Sequence, residues 1–383
     1  MIAAIESVII SPQVFPETLS NDNMAPKIQF TEDDWRRLEQ NWCAWWAGEI
    51  DRPMVIIDNP LSFSMPMELS QEFLLEKPVD EVLDHFQTIL EFRQFYGDAW
   101  PKWWPDFGPG IMAGFLGANV HGDPEMTTVW FDSPDACPIE ELQFSYNPDN
   151  IWWKRILDLT RGAIERWGSS VSVAHTDLGG NLDILASFRT TQQLLLDLYD
   201  APEHVLRLAG QITNSWLRYY DELDAVIRTS GRGTTPWAPI WSPKRCYMLQ
   251  SDFSFMISPE MFKKFILPDL NACCQHMDHA FYHLDGPGEI RHLDMLLALD
   301  NLKGIQWIPG DGAPPPEEWL PLLKRIRDAG KLCQVFVEAE GARTIVREIG
   351  GRGFAFYIMS FINSAEEANG FLALLSKEDA GRS

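Results

Sequence analysis

The sequence has few basic residues for its size. Its 383 residues include 31 lysines and arginines against 55 aspartates and glutamates, so the formal net charge is −24 at pH 7. Because a surface this negative repels phosphate backbones, we expect no nucleic-acid partner. The charge leaves room for a small-molecule substrate bound in a local pocket.

Cysteine is also scarce, and long apolar runs are missing. The six cysteines are scattered and form no CxxC pair. A chain of this length can bury a sizeable core without disulfides, so free thiols in a reducing compartment are expected. The sequence contains no run of 18 or more apolar residues, so it predicts no membrane span. The first residues lack the pattern of a secretory signal peptide. Together these features predict a cytoplasmic protein.

Tryptophan, by contrast, is abundant. Sixteen are present, many in the segments NWCAWW at 41–46 and AWPKWWPDF at 99–107. Large aromatic side chains fill protein cores, and they also wall pockets for flat or apolar ligands. Both interpretations stay open, and Trp104 is the candidate for a substrate-binding wall.

The chain divides into an irregular segment, residues 1–30, and one domain, residues 31–383. Thr31 and the acidic residues after it predict a helix start, with Gly48 at the end of that helix. From residue 246, strand and helix patterns alternate, which implies parallel strands with right-handed crossovers. No glycine-rich dinucleotide fingerprint follows the first strand. The pattern therefore predicts an α/β fold, a (β/α)₈ TIM barrel with N-terminal helical additions.

Strand positions follow from short apolar runs bounded by turn residues. Seven strands are predicted near residues 54, 172, 247, 281, 305, 334 and 355, and an eighth near 127 or 236. Residues 79–97 (VDEVLDHFQTILEFRQFYG) are predicted as a single helix that ends at Gly97.

Polar residues recur where the predicted strands end, which is where a barrel builds its active site. His283 and Asp285 are two apart, so an extended strand points both to one side, as two metal ligands or an acid–base pair. They could instead bond each other and cap a turn. The other candidates at strand ends are His175, Asp177, Asp252, Gln306, Trp307, Asp311 and Glu338.

Each acidic candidate also has a purely structural interpretation. Asp252 could orient a loop, and Asp177 could be a turn residue before the two glycines that follow Leu178. Glu338 could be a helix N-terminal acid that favours the helix dipole.

Four segments resemble the uroporphyrinogen decarboxylase superfamily. They are DLYDAPEHVLRLAGQITNSWLRYY (197–220), SDFSFMISPEMFKKFILPDL (251–270), AFYHLDG (280–286) and IRDAGKLCQVFV (326–337). The resemblance implies a (β/α)₈ barrel. It also implies one of two chemistries, because the superfamily contains decarboxylases and cobalamin- and coenzyme M-linked methyltransferases.

The residues that set these two branches apart differ here. The decarboxylases carry an arginine-rich segment after the first strand that grips substrate carboxylates, whereas residues 52–69 contain no arginine after Arg52. Their essential aspartate corresponds in place to Asp106. The corrinoid-linked methyltransferases bind zinc through a His-x-Cys pair and a later cysteine. His283 matches that histidine, Asp285 stands at the first cysteine position, and the later position falls near Ser360.

Oxygen in place of sulfur suits a harder or weaker metal site. The resemblance thus implies Zn²⁺ or another divalent metal held by His283, Asp285 and Glu338. The first functional hypothesis is a methyltransferase-like enzyme that works with cobalamin on a partner corrinoid protein. Its catalytic candidates are Asp252, His283, Asp285, Asp106 and Asp177, and its candidate substrate-binding residues are Trp104, His175, Gln306, Trp307 and Asp311.

Two alternatives accompany this hypothesis. One is decarboxylation of uroporphyrinogen or another aromatic acid, with Asp106 stabilising the intermediate. The other is a non-catalytic barrel that binds a ligand or serves as an accessory subunit.

Overall fold

The computed structural model describes residues 28–60, 71–123, 128–133, 137–362 and 364–381. Most of the predicted irregular segment, residues 1–27, lies outside these ranges. The strands are β1 Met54–Pro60, β2 Arg93–Gly97, β3 Lys102–Trp103, β4 Asn119–Asp123, β5 Thr128–Asp132, β6 Ser172–Val173, β7 Cys246–Leu249, β8 His279–Asp285, β9 Leu302–Ile308, β10 Leu332–Val337 and β11 Phe354–Ile358.

Helices connect and flank these strands. They are α1 Glu32–Trp46, α2 Gln71–Glu76, α3 Val79–Glu91, α4 Met112–Phe115, α5 Ile151–Trp167, α6 Asn181–Arg189, α7 Thr191–Asp200, α8 Pro202–Ile227, α9 Pro259–Phe265, α10 Leu267–His276, α11 Leu293–Leu297, α12 Leu320–Asp328, α13 Ala339–Ile349 and α14 Ala365–Ala380. Among the described helices, none combines the length and the apolarity needed to cross a membrane.

A seven-stranded, mostly parallel sheet organises the molecule. Its order is β2-β1-β11-β10-β9-β8-β7, and every pair is parallel except β1 with β2. Strands such as β7, whose four residues are all buried, are apolar throughout because both faces of a parallel sheet are covered. The alternation of strands and helices from residue 246 is confirmed.

Two smaller sheets complete the set of described strands. The short strands β3 and β6 pair in parallel, and β4 and β5 form an antiparallel hairpin. The strand expected near 127 or 236 is thus found at 128–132, in the hairpin and outside the main sheet, while β3 was not predicted. Within the described ranges, no ladder joins β3 and β6 to the edges of the seven-stranded sheet. The structure shows a mixed α/β fold, without the hydrogen-bonded ring of a closed barrel.

The prediction of one helix over residues 79–97 is wrong. Helix α3 ends at Glu91, and Arg93–Gly97 pairs antiparallel with β1. A partly buried ion pair holds the end of this strand, because the buried Asp98 accepts hydrogen bonds from Arg52 Nη1 at 2.6 Å and from the Val55 amide at 2.9 Å. Pairing with a distant strand outweighs the local helical preference, which is a weak determinant.

Helix α1 is the predicted N-terminal addition, and its start is as expected. Thr31 and Asp34 form a reciprocal capping box, which satisfies amide groups that a helix N-terminus leaves free. Trp42 and Trp45 are fully buried, in one cluster with inward-facing side chains of β1, β7, β8 and β11. Trp46 stacks on His279, the first residue of β8, at 4.0 Å between ring centroids. The helix therefore covers the N-terminal ends of the strands.

Strand β8 shows which side chains face which layer. Phe281 belongs to the cluster beneath α1, whereas Tyr282 and Leu284 belong to the cluster formed with the outer helices. Since side chains alternate along a strand, His283 and Asp285 share the inner face with Phe281. They lie nearer the C-terminal end, away from α1.

We expect the α1 cluster to contribute strongly to stability. Trp45→Ala should lower the free energy of unfolding by about 3–5 kcal/mol, because it removes a fully buried indole that stacks on Phe281. Cys43→Ala, on the exposed face of the same helix, is the control and should change it by less than about 0.5 kcal/mol. Urea denaturation measures both. Equal effects of the two substitutions would contradict the packing role given to α1.

Candidate metal and active site

Three potential metal ligands meet at the C-terminal ends of β7 and β8. One donor atom from each of Asp252, His283 and Asp285 lies within 4.8 Å of the others. His283 and Asp285 come from β8, and Asp252 begins the 3₁₀ turn shortly after β7. The parallel pairing of β7 with β8 brings the two ends together. These positions are the ones that the strand-end pattern predicted for Asp252, His283 and Asp285.

Asp183, near the start of α6, anchors the turn that carries Asp252. Its carboxylate accepts hydrogen bonds from the backbone amides of Asp252 at 3.2 Å and Phe253 at 2.7 Å. Burial raises the pKa of Asp183 to about 6, although these two hydrogen bonds oppose the increase. The side chain thus holds the turn in place and adds negative potential to the site.

The acidic groups of the site favour protonation. Burial raises the pKa of Asp252 well above its ordinary value, and the charges of Asp183 and Asp285 raise it further. Burial also raises the pKa of Asp285, while nearby His283 lowers it. Among the described residues, no lysine or arginine forms an ion pair with Asp252 or Asp285.

The imidazole beside these carboxyl groups tends to be neutral. Burial lowers the pKa of His283, although Asp285 and a hydrogen bond to Gln306 act in the opposite direction. A neutral imidazole is the form that binds a metal. A divalent cation would add positive charge to this cluster of acids and would displace the protons from its carboxyl groups.

Asp177 forms a second part of the site. Its carboxylate accepts hydrogen bonds from the Gly179 amide at 2.9 Å and from Gln250 at 3.3 Å. Burial raises its pKa to about 7, and the charges of Asp106 and Asp183 add to that effect. A carboxyl group with this pKa can hold and release a proton near neutral pH. Asp177 is thus a turn residue that bonds the Gly179 amide, and its role as a catalytic acid stays a prediction.

The structure connects some of the remaining candidates to this group. Gln306 accepts a hydrogen bond from His283 Nδ1, and the charge of the exposed Asp311 raises the pKa of Asp285. Asp106 accepts a hydrogen bond from the Gly108 amide at 3.0 Å and influences Asp177 by its charge. Trp104 lies half-buried two residues before Asp106.

Other candidates lie elsewhere. The exposed Glu338 is the residue before α13, and its carboxylate accepts a hydrogen bond from Ser360 rather than capping the helix. It is outside the group of clustered donors, where Asp252 is the third member. Trp307 packs with the outer helices against Trp319, on the face opposite Gln306. His175 is fully buried beside Asp224, at 3.4 Å, and stacks on Tyr220.

Three residues of the site were not predicted from the sequence. Asp183 resembles an ordinary first-turn acid of α6. Gln334 is a polar residue inside the apolar strand LCQVFV, and that contrast is the signal that could have identified it. Glu289 is 1% exposed, and its pKa lies well above its ordinary value because of burial, with Asp252 and Asp285 contributing. Tyr282 donates a hydrogen bond to it at 3.2 Å.

Comparison with known proteins gives a likeness of fold. No family model matches the sequence, and no curated protein does. Among solved structures, a methyltransferase from Methanosarcina mazei is similar, with a TM-score of 0.56 and 10% sequence identity, over 90% of this chain and 99% of that chain. At this identity the similarity establishes a methyltransferase-like fold, and it leaves the reaction to be argued from the site.

The raised pKa of Asp177 predicts a pH-dependent stability. The folded protein keeps a proton up to about pH 7, whereas the unfolded chain loses it near the ordinary value of 3.8. The stabilisation that Asp177 provides by keeping its proton is therefore fully present below about pH 4. As the pH rises from there to about 7, the contribution to the free energy of unfolding falls by roughly 1.4 kcal/mol per pH unit. Asp177→Asn cannot ionise, so we expect a shallower fall between pH 4 and 7 in metal-free protein.

The substitution conserves the local hydrogen bonds. Asn still accepts from the Gly179 amide, and Gln250, whose buried Oε1 has no partner, can rotate to accept from the new amide. Denaturation curves at several pH values, with exposed Asp300→Asn as control, give the measurement. If the free energy of unfolding changed in parallel with pH for the wild type and for Asp177→Asn, Asp177 would be ionised throughout this pH range, which would contradict the prediction.

Proposed function

We propose that this chain is a metal-dependent, methyltransferase-like enzyme of the uroporphyrinogen decarboxylase type. It would move a methyl group between a small substrate and a corrinoid carried by a partner protein. The observation that supports this most directly is the group of Asp252, His283 and Asp285, with donor atoms within 4.8 Å of one another. The methyltransferase-like fold is the second support.

The proposal includes a barrel in which β3 and β6 fill the gap between the edge strands β2 and β7. Contacts at the β7 edge support it. The Tyr247 hydroxyl of β7 donates to the Thr176 carbonyl at 3.0 Å and accepts from the Leu178 amide at 2.7 Å, just after β6. At the other edge, β3 follows β2 within a few residues of chain.

The donor set fits a divalent cation. One imidazole nitrogen and two carboxylates suit zinc or a somewhat harder metal, whereas thiolates would favour a softer one. When bound, such an ion supplies a Lewis acid that polarises an oxygen or nitrogen atom of the substrate. The raised pKa of Asp252 and of Asp285 further predicts that binding releases protons and tightens as pH rises.

The protein side chains would manage the proton that the reaction needs. If a methyl group passed from an oxygen or nitrogen atom to a reduced corrinoid, the corrinoid would supply the electron pair of the new bond. The oxygen or nitrogen atom would keep the electrons of the broken bond and would take up a proton. Asp177, with a pKa of about 7, is suited to supply it.

The same electrostatics disfavour decarboxylation of a polycarboxylate such as uroporphyrinogen. Burial raises the pKa of Asp177 and of Asp252, and the negative charge of Asp183 adds to both increases. A substrate with several carboxylates would add to this repulsion. An uncharged or cationic methyl donor fits the site better.

Metal binding provides the first test. We expect purified protein to bind about one divalent ion per chain, with zinc, manganese and cobalt compared by calorimetry. His283→Ala and Asp252→Asn should weaken binding on the order of 100-fold or more, because each removes a ligand. Glu338→Gln is the matched control and should bind as the wild type does. Metal lost from Glu338→Gln but kept in Asp252→Asn would contradict the ligand set.

Methyl transfer provides the second test. With cob(I)alamin as carrier analogue, and methylated ethers and amines as donors, we expect a spectral change of the corrinoid that depends on the donor and on metal. Asp177→Asn should reduce the rate about 100-fold or more, because general acid catalysis is typically worth that much. Carbon dioxide release from uroporphyrinogen without any corrinoid reaction would favour the decarboxylase instead. Ligand binding without turnover would favour an accessory role.

A further inference from the structure

A buried row of amide side chains leads from His283 to the backbone carbonyl of Pro239. His283 is aligned with Gln306 on β9, and Gln306 is aligned with Gln334 on β10. Gln306 and Gln334 are 1% and 0% exposed. The row ends at the carbonyl oxygen of Pro239, to which Gln334 Nε2 donates at 2.9 Å. Three neighbouring strands thus supply one continuous chain of hydrogen bonds.

The backbone end fixes the direction of every bond in the row. A carbonyl oxygen only accepts, so Gln334 must present its NH₂ group to Pro239 and its oxygen to Gln306. Gln306 Nε2 donates to that oxygen at 2.7 Å. The oxygen of Gln306 consequently faces His283, and Nδ1 of His283 must be the protonated nitrogen that donates to it. In a neutral imidazole, Nε2 then carries the lone pair.

The segment that presents Pro239 is itself held firmly. Thr234 and Ser242 close it with two backbone hydrogen bonds of 2.7 and 2.9 Å. Trp237 within it donates from Nε1 to the Met248 carbonyl of β7 at 3.2 Å. Its ring also packs edge-on against His283, at 5.3 Å between centroids. The same segment therefore fixes both the end of the row and the plane of the imidazole.

We propose that Gln306 and Gln334 are positioning residues that hold His283 as its Nδ1–H tautomer. This leaves Nε2 as the ring nitrogen able to bind a cation together with Asp252 and Asp285. Reversing the tautomer would require both buried amides to turn, and the oxygen of Gln334 would then face the Pro239 carbonyl, which would lose its donor. The tautomer part stands on the hydrogen bonds alone, and the metal part rests on the proposed function.

A glutamine row also fits the charge of the site. A histidine ligand commonly donates its second N–H to a carboxylate. A carboxylate at position 306 would add another negative charge to the buried acids around Asp252 and Asp285. Amides give the same directional control without that charge.

Nitrogen NMR of metal-free protein with ¹⁵N-labelled histidine tests the tautomer directly. His283→Asn identifies the His283 signals by their absence. For the wild type at pH 8 we expect His283 to show a protonated Nδ1 and an unprotonated Nε2. A wild-type spectrum with the proton on Nε2 would overturn the proposal, whatever the metal content.

Substitutions at position 334 test the row. In Gln334→Met the Gln306 amide is free to turn, so we expect a mixture of tautomers and a zinc affinity about 10–100-fold weaker. Gln334→Glu still accepts from Gln306 and should keep the Nδ1–H tautomer, so it serves as the conservative rescue. Gln211→Met is the control, since Gln211 accepts a hydrogen bond from the Phe144 amide at 2.9 Å away from the site.

The outcomes separate this inference from the proposed function. Unchanged tautomer and zinc affinity in a folded Gln334→Met protein, verified by circular dichroism, would overturn the relay. An Nδ1–H tautomer in a wild-type protein without affinity for zinc, manganese or cobalt would support the relay and refute the metal site.

Discussion

The parallel pairing of β7, β8, β9 and β10 is the constraint on which the site depends. It brings the ends of β7 and β8 together, so that Asp252 meets His283 and Asp285. It also aligns His283, Gln306 and Gln334 across three strands. A shift of one residue in any of these pairings would turn the inward side chains outward, because the side-chain period of a strand is two. The register of the strands therefore determines the geometry of the site.

The site combines buried acids with few compensating groups of the protein. Backbone amides offset part of the negative charge of Asp183 and Asp177. The carboxyl groups of Asp252 and Glu289 instead favour the protonated, uncharged form because they are buried. Such an arrangement costs stability in the free protein. Ligand binding that supplies positive charge recovers that cost, so affinity for a cation and resistance to unfolding are linked.

Local signals were sufficient for part of this arrangement. The capping residues predicted the start of α1, and the His-x-Asp spacing predicted a shared face on β8. The ends of consecutive strands identified Asp252 as well. These features depend on a few neighbouring residues, and the structure retains them. The likeness to a solved methyltransferase structure concerns the fold alone, and the superfamily to which four segments pointed stays a prediction.

Other features depend on partners that sequence does not reveal. Residues 93–97 form a strand because β1 pairs with them, and nothing within the segment specifies that partner. Which of Gln306 and Trp307 faces the site depends on the register of β9. Glu338 directly follows β10, yet its carboxylate accepts a hydrogen bond from Ser360 and is not among the clustered donors. Gln334 acquires its role only through Gln306 and Pro239.

The docking of α1 has a consequence for biosynthesis. Trp42 and Trp45 belong to the first described helix, but they are buried against Phe281 and Ala355, which are synthesised much later. At roughly 5–20 residues per second, tens of seconds pass between the synthesis of these indoles and the emergence of Phe281 and Ala355. The nascent chain thus exposes an aromatic surface for most of its synthesis, and a chaperone that covers such surfaces has a defined interval in which to act.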